Sequence, residues 1–189
     1  MKIGIVIGSI REVRLGEIVG RWVADAAGQR TDAEFELIDL RDFEVPLLTS
    51  GTNPARANRE YGSAEVRRWS AAVDSCDGFI FVTPEYNHGV PGAFKNAVDS
   101  LAPEWMDKAV GFVSYGSDNG VRAVEQWRQI VANFRMVDVR AQVSLSIFTE
   151  FGDDRSLQPS SHRGADLTAL LDQIVAETAL RRAARDAVA

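Results

Sequence analysis

Near its start the chain reads Lys2-Ile3-Gly4-Ile5-Val6-Ile7-Gly8 and runs on through Ser9-Ile10-Arg11-Glu12-Val13-Arg14-Leu15-Gly16. The first part is a short, β-branched apolar run ending in glycine, the pattern of a strand buried on both faces. The period then changes. Leu15, Ile18, Val19, Trp22, Val23 and Ala26 recur at spacings of three and four, which is one stripe of a helix, and Gly28 stands where that helix can stop. A buried strand, a polar turn and an amphipathic helix make the first unit of a βα alternation.

The alternation continues along the chain. Glu34 to Leu40 predicts a second strand, Gly78 to Thr83 a third, Ala109 to Tyr115 a fourth and residues 137–147 a fifth. Helical stripes lie between and after them: Val66, Trp69, Val73 and Cys76; Phe94, Ala97, Val98 and Leu101, opened by Pro91; Val124, Trp127, Val131 and Phe134; and Leu167, Leu170, Leu171, Ile174 and Thr178. Strands that alternate with helices predict an α/β domain over 1–189, with a parallel sheet covered on both faces and right-handed crossovers. Two long irregular stretches, 42–58 and 148–164, interrupt the alternation; such loops inside a compact domain are functional or mobile.

Composition narrows the function. Of 189 residues, 46% are hydrophobic and 25% charged, as in a soluble globular protein, and the formal net charge of −6 disfavours nucleic acid and anionic membranes as partners. An anion must therefore be held by a local site. The single cysteine, Cys76, falls on the apolar side of a helical stripe and reads as packing. No Cys/His cluster has zinc spacing, no apolar run approaches the ~20 residues of a membrane span, and Met1-Lys2 before the first strand leaves no room for a signal peptide, so the cytoplasm is the expected compartment.

In an open α/β sheet, ligands sit outside the C-terminal ends of the strands. Three such ends carry unusual residues. At the first, Gly8 permits a sharp turn, Ser9 offers a hydroxyl and a helix cap, the helix N-terminus offers free N–H groups, and Arg11 and Arg14 add forked cations. This set suits a phosphate. It is neither the G-x-G-x-x-G of a dinucleotide fold nor a loop ending in G-K-[ST].

The second end is Thr83-Pro84-Glu85-Tyr86-Asn87-His88-Gly89-Val90-Pro91-Gly92. Pro84 stiffens the strand exit, and Glu85, Tyr86 and Asn87 present backbone groups and an amide to a flat ring with alternating donors and acceptors. His88 reads as a solvated loop residue. The third, Ser114-Tyr115-Gly116-Ser117-Asp118-Asn119-Gly120, admits two readings: a ring contact, or a turn with Ser117 or Asn119 capping the next helix.

Together these loops resemble the NADPH-dependent FMN reductase family of the flavodoxin-like superfamily. The resemblance rests most on Pro84-Glu85-Tyr86-Asn87-His88-Gly89, on Pro91-Gly92-Ala93-Phe94-Lys95-Asn96-Ala97 behind it, and on Gly8-Ser9-Ile10-Arg11. It implies a three-layer flavodoxin-like sandwich with strand order 2-1-3-4-5. It implies FMN, its phosphate held by Ser9, Arg11, Arg14, Leu15 and Gly16 and its ring lined by Pro84, Glu85, Tyr86, Asn87, Ser114, Tyr115 and Gly116. NAD(P)H and a small-molecule electron acceptor (quinone, flavin, azo compound or oxidised metal) follow, as do a homodimer or dimer of dimers. The cofactor carries the chemistry, so no side chain is assigned as catalytic and none as a metal ligand. The 42–58 loop is expected to rim the pocket.

Three readings compete on the same topology, one of them a flavin-free structural or regulatory relative. An electron-carrying flavodoxin has a phosphate loop rich in Ser and Thr, whereas this one relies on arginine. A signalling receiver needs acidic residues where Gly8-Ser9 and Thr83-Pro84 stand.

Overall fold

The computed structural model describes residues 1–187. Its elements alternate along the chain: β1 (Lys2–Ile7), α1 (Leu15–Ala27), β2 (Glu34–Asp39), α2 (Ala64–Asp74), β3 (Gly78–Pro84), α3 (Gly92–Asp99), β4 (Ala109–Gly116), α4 (Val121–Ala132), β5 (Val137–Ser146) and α5 (Arg163–Asp186). The strands form one sheet in the order β2-β1-β3-β4-β5, and every neighbouring pair is parallel. The expected order therefore holds.

Alternation along the strands builds two cores. Phe79 and Phe81 of β3 point to one face, where they meet Phe94, Trp105, Phe112 and Trp127. Ile80 and Val82 point to the other, against Val19 and Val23 of α1 and Leu170 and Ile174 of α5. The first face is aromatic. Phe81 lies with ring centroids 4.8 Å from Phe94 and 5.4 Å from Trp127, tilted or edge-on as ring quadrupoles favour. Each fully buried indole has a partner: Trp69 Nε1 donates to the Ala97 carbonyl (2.8 Å), Trp105 Nε1 to the Val98 carbonyl (3.1 Å) and Trp127 Nε1 to Thr83 Oγ1 (3.0 Å).

Local departures from the sequence reading have simple causes. Pro91 is the N-cap rather than the first residue of α3, its ψ of 128° being extended. Cys76 is buried but lies beyond the end of α2, which stops at Asp74. The long stretch after β2 is partly ordered by short 3₁₀ turns at Leu40–Phe43 and Pro54–Arg56, the second capped by Asn53, whose side chain accepts from the Ala55 amide.

Lys108, just ahead of β4, is buried and donates from Nζ to the carbonyls of Val73 (3.0 Å) and Asp74 (3.4 Å) at the end of α2. It satisfies carbonyls that a helix terminus leaves open. Burial pushes its ammonium down to about 8, against the pull of Asp74. Between that value and the ordinary lysine range the unfolded chain holds a proton that the folded one has released, so stability rises with pH across that window. From pH 8 to 10 the wild type should gain on the order of 2–3 kcal/mol relative to Lys108→Met in paired urea titrations. A difference that stays flat with pH contradicts the burial of a titrating lysine here.

Candidate functional site

The C-terminal ends of β1, β3 and β4 bring three loops to one edge of the sheet. The first is set against the second by a ladder bond that outlasts the strand: the Gly8 amide donates to the Val82 carbonyl at 3.0 Å. A Cβ on Gly8 would overlap the Phe94 ring, so only glycine lets the turn rest on α3. Gly16 has a parallel role, since a Cβ there would sit 2.6 Å from the Tyr115 hydroxyl of the third loop.

Ser9 is buried, and its hydroxyl lies 2.8 Å from the Tyr86 hydroxyl. The first and second loops are thus joined directly. The Arg11 guanidinium stands over the Tyr86 ring, 5.9 Å from its centroid. Arg14 is the N-cap of α1 and makes no side-chain cap, so Ser9 does not cap this helix as the sequence suggested. Instead Arg14 points inward. Its Nη1 donates to the Ser9 carbonyl (2.7 Å) and its Nη2 pairs with Asp39 at the end of β2, while its buried Nε has no partner. Arg14 therefore ties the turn to β2. The first turn of α1 has no side-chain cap, which leaves its amides without a side-chain acceptor at the N-cap.

The second loop is braced from α4. The Glu85 amide donates to the Tyr115 carbonyl (3.1 Å), and the Glu85 carboxylate accepts from the Arg122 amide (3.1 Å) and Nε (2.6 Å). Arg122 also pairs with Asp118. Asn87 and His88 adopt left-handed backbone, φ 49° and 71°, in a tight turn closed by reciprocal Tyr86–Gly89 bonds of 3.0 and 3.1 Å. Asparagine tolerates that conformation well, and such two-residue turns require it at both positions. Gln126 locks the turn: its Nε2 donates to the His88 carbonyl (2.9 Å) and its Oε1 accepts from the Val90 amide (3.2 Å). Asn87 and His88 themselves are exposed, and Asn87 is not among the residues that line the cleft.

In the third loop, Ser114 is fully buried and donates from Oγ to the Asn119 carbonyl (2.8 Å), shaping the turn rather than facing a ligand. Gly120, in left-handed conformation, is the N-cap of α4 without a side-chain cap, so neither Ser117 nor Asn119 caps that helix. The Tyr115 side chain is buried and its hydroxyl has no hydrogen-bond partner. Burial and the neighbouring Tyr86 hydroxyl push this phenol up; Ser9 offsets that in part but is engaged with Tyr86.

These loops enclose a cleft of about 190 Å³. Ser9, Arg11, Arg14 and Leu15 line it from the first loop, Pro84, Glu85 and Tyr86 from the second, and Tyr115 and Gly116 from the third. Gly16 and Ser114 support the wall from behind. Val13, Ser117, Ile147 and Arg155 line the cleft as well and were not read from the sequence as ligands. A larger cavity of about 380 Å³ lies under the 46–63 segment, with Val66 and Ser100. It shares no residue with the cleft, so the stretch after β2 builds a separate cavity and does not rim this one. Arg59 from that stretch pairs with Asp74. Among the described residues no cluster of His, Cys, Asp and Glu could hold a metal ion.

The arrangement suits a phosphate attached to a flat ring. An uncapped helix start, the Arg11 guanidinium, a buried, unpartnered phenol and a stiff braced loop border one cleft. If α4 fixes the second loop as the geometry indicates, Gln126→Ala should cost about 1–2 kcal/mol in urea unfolding. It should also speed hydrogen exchange at the Tyr86 and Gly89 amides; unchanged protection there contradicts the brace.

Comparison with known proteins agrees with this geometry. The family model described as NADPH-dependent FMN reductase matches residues 1–150. The chain is 41% identical over 129 residues to the NAD(P)H-dependent FMN reductase ntnL of Nectria sp, covering 66% of this chain and 64% of that one. It is 32% identical over 135 residues to an NAD(P)H-dependent FMN reductase of Schizosaccharomyces pombe, covering 71% of this chain and 68% of that one. Matches thus span about two thirds of these relatives' own length. Among solved structures, FerB of Paracoccus denitrificans, a flavoenzyme NAD(P)H:(acceptor) oxidoreductase, superposes with a TM-score of 0.72 at 19% identity over 93% of this chain and 98% of that one, which shows a shared flavodoxin-like fold. With the matched residues including all three loops of the cleft, the chain belongs to the NADPH-dependent FMN reductase family.

Proposed function

We propose that this chain is an FMN-dependent oxidoreductase that draws reducing equivalents from NAD(P)H and delivers them to a small acceptor. The observation that carries this reading is the buried, unpartnered Tyr115 hydroxyl beside an uncapped α1 N-terminus in a cleft bordered by Arg11. A buried hydroxyl without a partner is unfavourable by about 1–3 kcal/mol unless a ligand completes it. In this reading Ser9, Arg11 and the first-turn amides from Leu15 and Gly16 hold the phosphate, and Arg14 fixes the turn that presents them. Pro84, Glu85, Tyr86, Asn87, Ser114, Tyr115 and Gly116 form or support the wall for the ring.

The chemistry FMN supplies when bound is two-electron transfer between a nicotinamide and an acceptor. The protein's part is positional. Pro84 and the Glu85–Arg122 pair keep the β3 exit stiff, the Gln126 brace keeps the Tyr86–Gly89 turn in place, and Tyr86 joins the ring wall to the phosphate turn through Ser9. Quinones, free flavins, azo compounds and oxidised metals are the acceptor classes that suit an open cleft. The description of FerB as an NAD(P)H:(acceptor) oxidoreductase is in keeping with an acceptor of this kind.

We extend the proposal to a homodimer or dimer of dimers. Ile10, Val13, Leu47, Val121 and Phe148 stay exposed on loops or helix starts beyond the C-terminal ends of the strands, where a second copy would cover them. A cytoplasmic setting follows from the dependence on NAD(P)H.

The purified protein should show the absorption bands of oxidised flavin, bleached by NADPH under anaerobic conditions and restored by a quinone. Arg11→Ala should weaken FMN binding by roughly ten- to a hundredfold in a fluorescence titration, the loss expected for one charge-assisted bond to phosphate. A protein that takes up no flavin, or an Arg11→Ala variant of unchanged affinity, contradicts the assignment.

A further inference from the structure

The stretch between β5 and α5 is an ordered excursion with its own foundation. Glu150 is buried, and its carboxylate accepts from the Ser160 amide (2.7 Å), Ser160 Oγ (3.0 Å) and Arg163 Nε (2.9 Å) at the start of α5. The Gln158 amide donates to the Glu150 carbonyl (2.7 Å), and Phe151 and Leu157 form an antiparallel bridge. The tip is closed by the Gly152 amide on the Ser156 carbonyl (2.9 Å), the Arg155 amide on the Gly152 carbonyl (2.8 Å), and Asp154, which accepts from the Ser156 amide and hydroxyl. The chain thus builds a small hairpin and anchors both ends.

At the tip stands Arg155, with φ 67°. A long β-carbon-bearing residue in left-handed backbone is unfavourable where glycine would fit freely, and such positions gather at functional sites. The side chain is directed rather than free. Its Nη2 donates to the carbonyl of Val13, the residue before the N-cap of α1, at 3.3 Å, and Arg155 lines the same cleft as Arg11. One guanidinium nitrogen meets the loop, and the other donors of the fork have no hydrogen-bond partner among the described residues. Tyr115, whose buried hydroxyl lacks a partner, and Leu15, at the uncapped start of α1, line that cleft too. Arg14, the other arginine of the first loop, is engaged with Ser9 and Asp39. The anion end of the cleft therefore has one arginine on its own loop and a second arriving from 142 residues away.

We propose that Arg155, carried on the Glu150-anchored hairpin, is a phosphate-binding residue that joins Arg11 at the anion end of the cleft. This rests on the reading of the cleft as an FMN site and adds a ligand to it. The hairpin is then a built part of the cofactor site, and Glu150 and Arg163 are its positioning residues.

The test compares FMN with riboflavin, which has the same ring and ribityl chain without the phosphate. Apo wild type, Arg155→Ala and Arg155→Gly are titrated with each flavin. Arg155→Ala should weaken FMN binding by roughly ten- to a hundredfold and leave riboflavin affinity within about twofold. Arg155→Gly should show the same FMN-selective loss, because glycine accepts the left-handed backbone and keeps the hairpin turn. Unchanged FMN affinity with wild type binding normally, or equal losses for both flavins, would each overturn the proposal by assigning Arg155 to loop structure alone. Wild type that binds neither flavin would instead overturn the reading of the cleft, and this inference with it.

Discussion

The site depends on the pairing of β1 with β3, a parallel register from Ile3↔Gly78 to Ile7↔Val82 that the Gly8 amide extends by one more bond to Val82. That pairing determines which loops can meet. It sets the turn that begins α1 beside the exit of β3, so that Ser9 and Tyr86, 77 residues apart, share a hydrogen bond. The absence of side chains at Gly8 and Gly16 then allows the turn to sink onto Phe94 and Tyr115. A slip of β1 by one residue in this register would turn Ile5 to the wrong face and draw the two loops out of step.

The aromatic core serves the site as well as stability. Trp127 packs against both Phe81 and Phe94 and bonds to Thr83, the residue before Pro84 at the end of β3. The same helix carries Arg122 and Gln126, which hold Glu85 and the Asn87–His88 turn. Packing that is tight on one side of the sheet is thereby converted into a rigid loop at its edge. Preorganisation of this kind is what a protein contributes when a bound cofactor performs the chemistry.

Much of this was legible before the fold was known. Strands buried on both faces announce themselves as β-branched runs, and the Leu15–Ala26 stripe marks its helix by period alone. The residue types of the β1 and β3 loops pointed to an anion and a flat ring, and the residues of those loops do meet in one cleft, apart from Asn87 and the supporting Gly16 and Ser114. What stayed hidden was every contact between distant segments. Arg14 looked like a free cation because nothing in its neighbourhood reveals Asp39, which β1–β2 pairing brings alongside. Arg155 looked like part of an irregular stretch because its meaning lies in Val13, and Gln126 drew no reading because its partners are backbone atoms of another loop. Side chains that bond to distant backbone leave no periodic trace. The 42–58 stretch was misassigned for the same reason: Asn96 on α3 accepts from the Leu48 amide and donates to the Pro46 carbonyl, tethering that segment over its own cavity.

The two cavities make opposite claims about where a flavin would sit, and volume alone favours the one without the chemistry, about 380 against 190 Å³. Charge and unmet hydrogen-bonding capacity favour the smaller. A crystal structure of the protein grown with FMN decides between them. The account predicts the phosphate at the start of α1 between Ser9 and Arg11, with the ring against Tyr86 and Gly116; flavin density under the 46–63 segment, with the α1 turn empty, would contradict it.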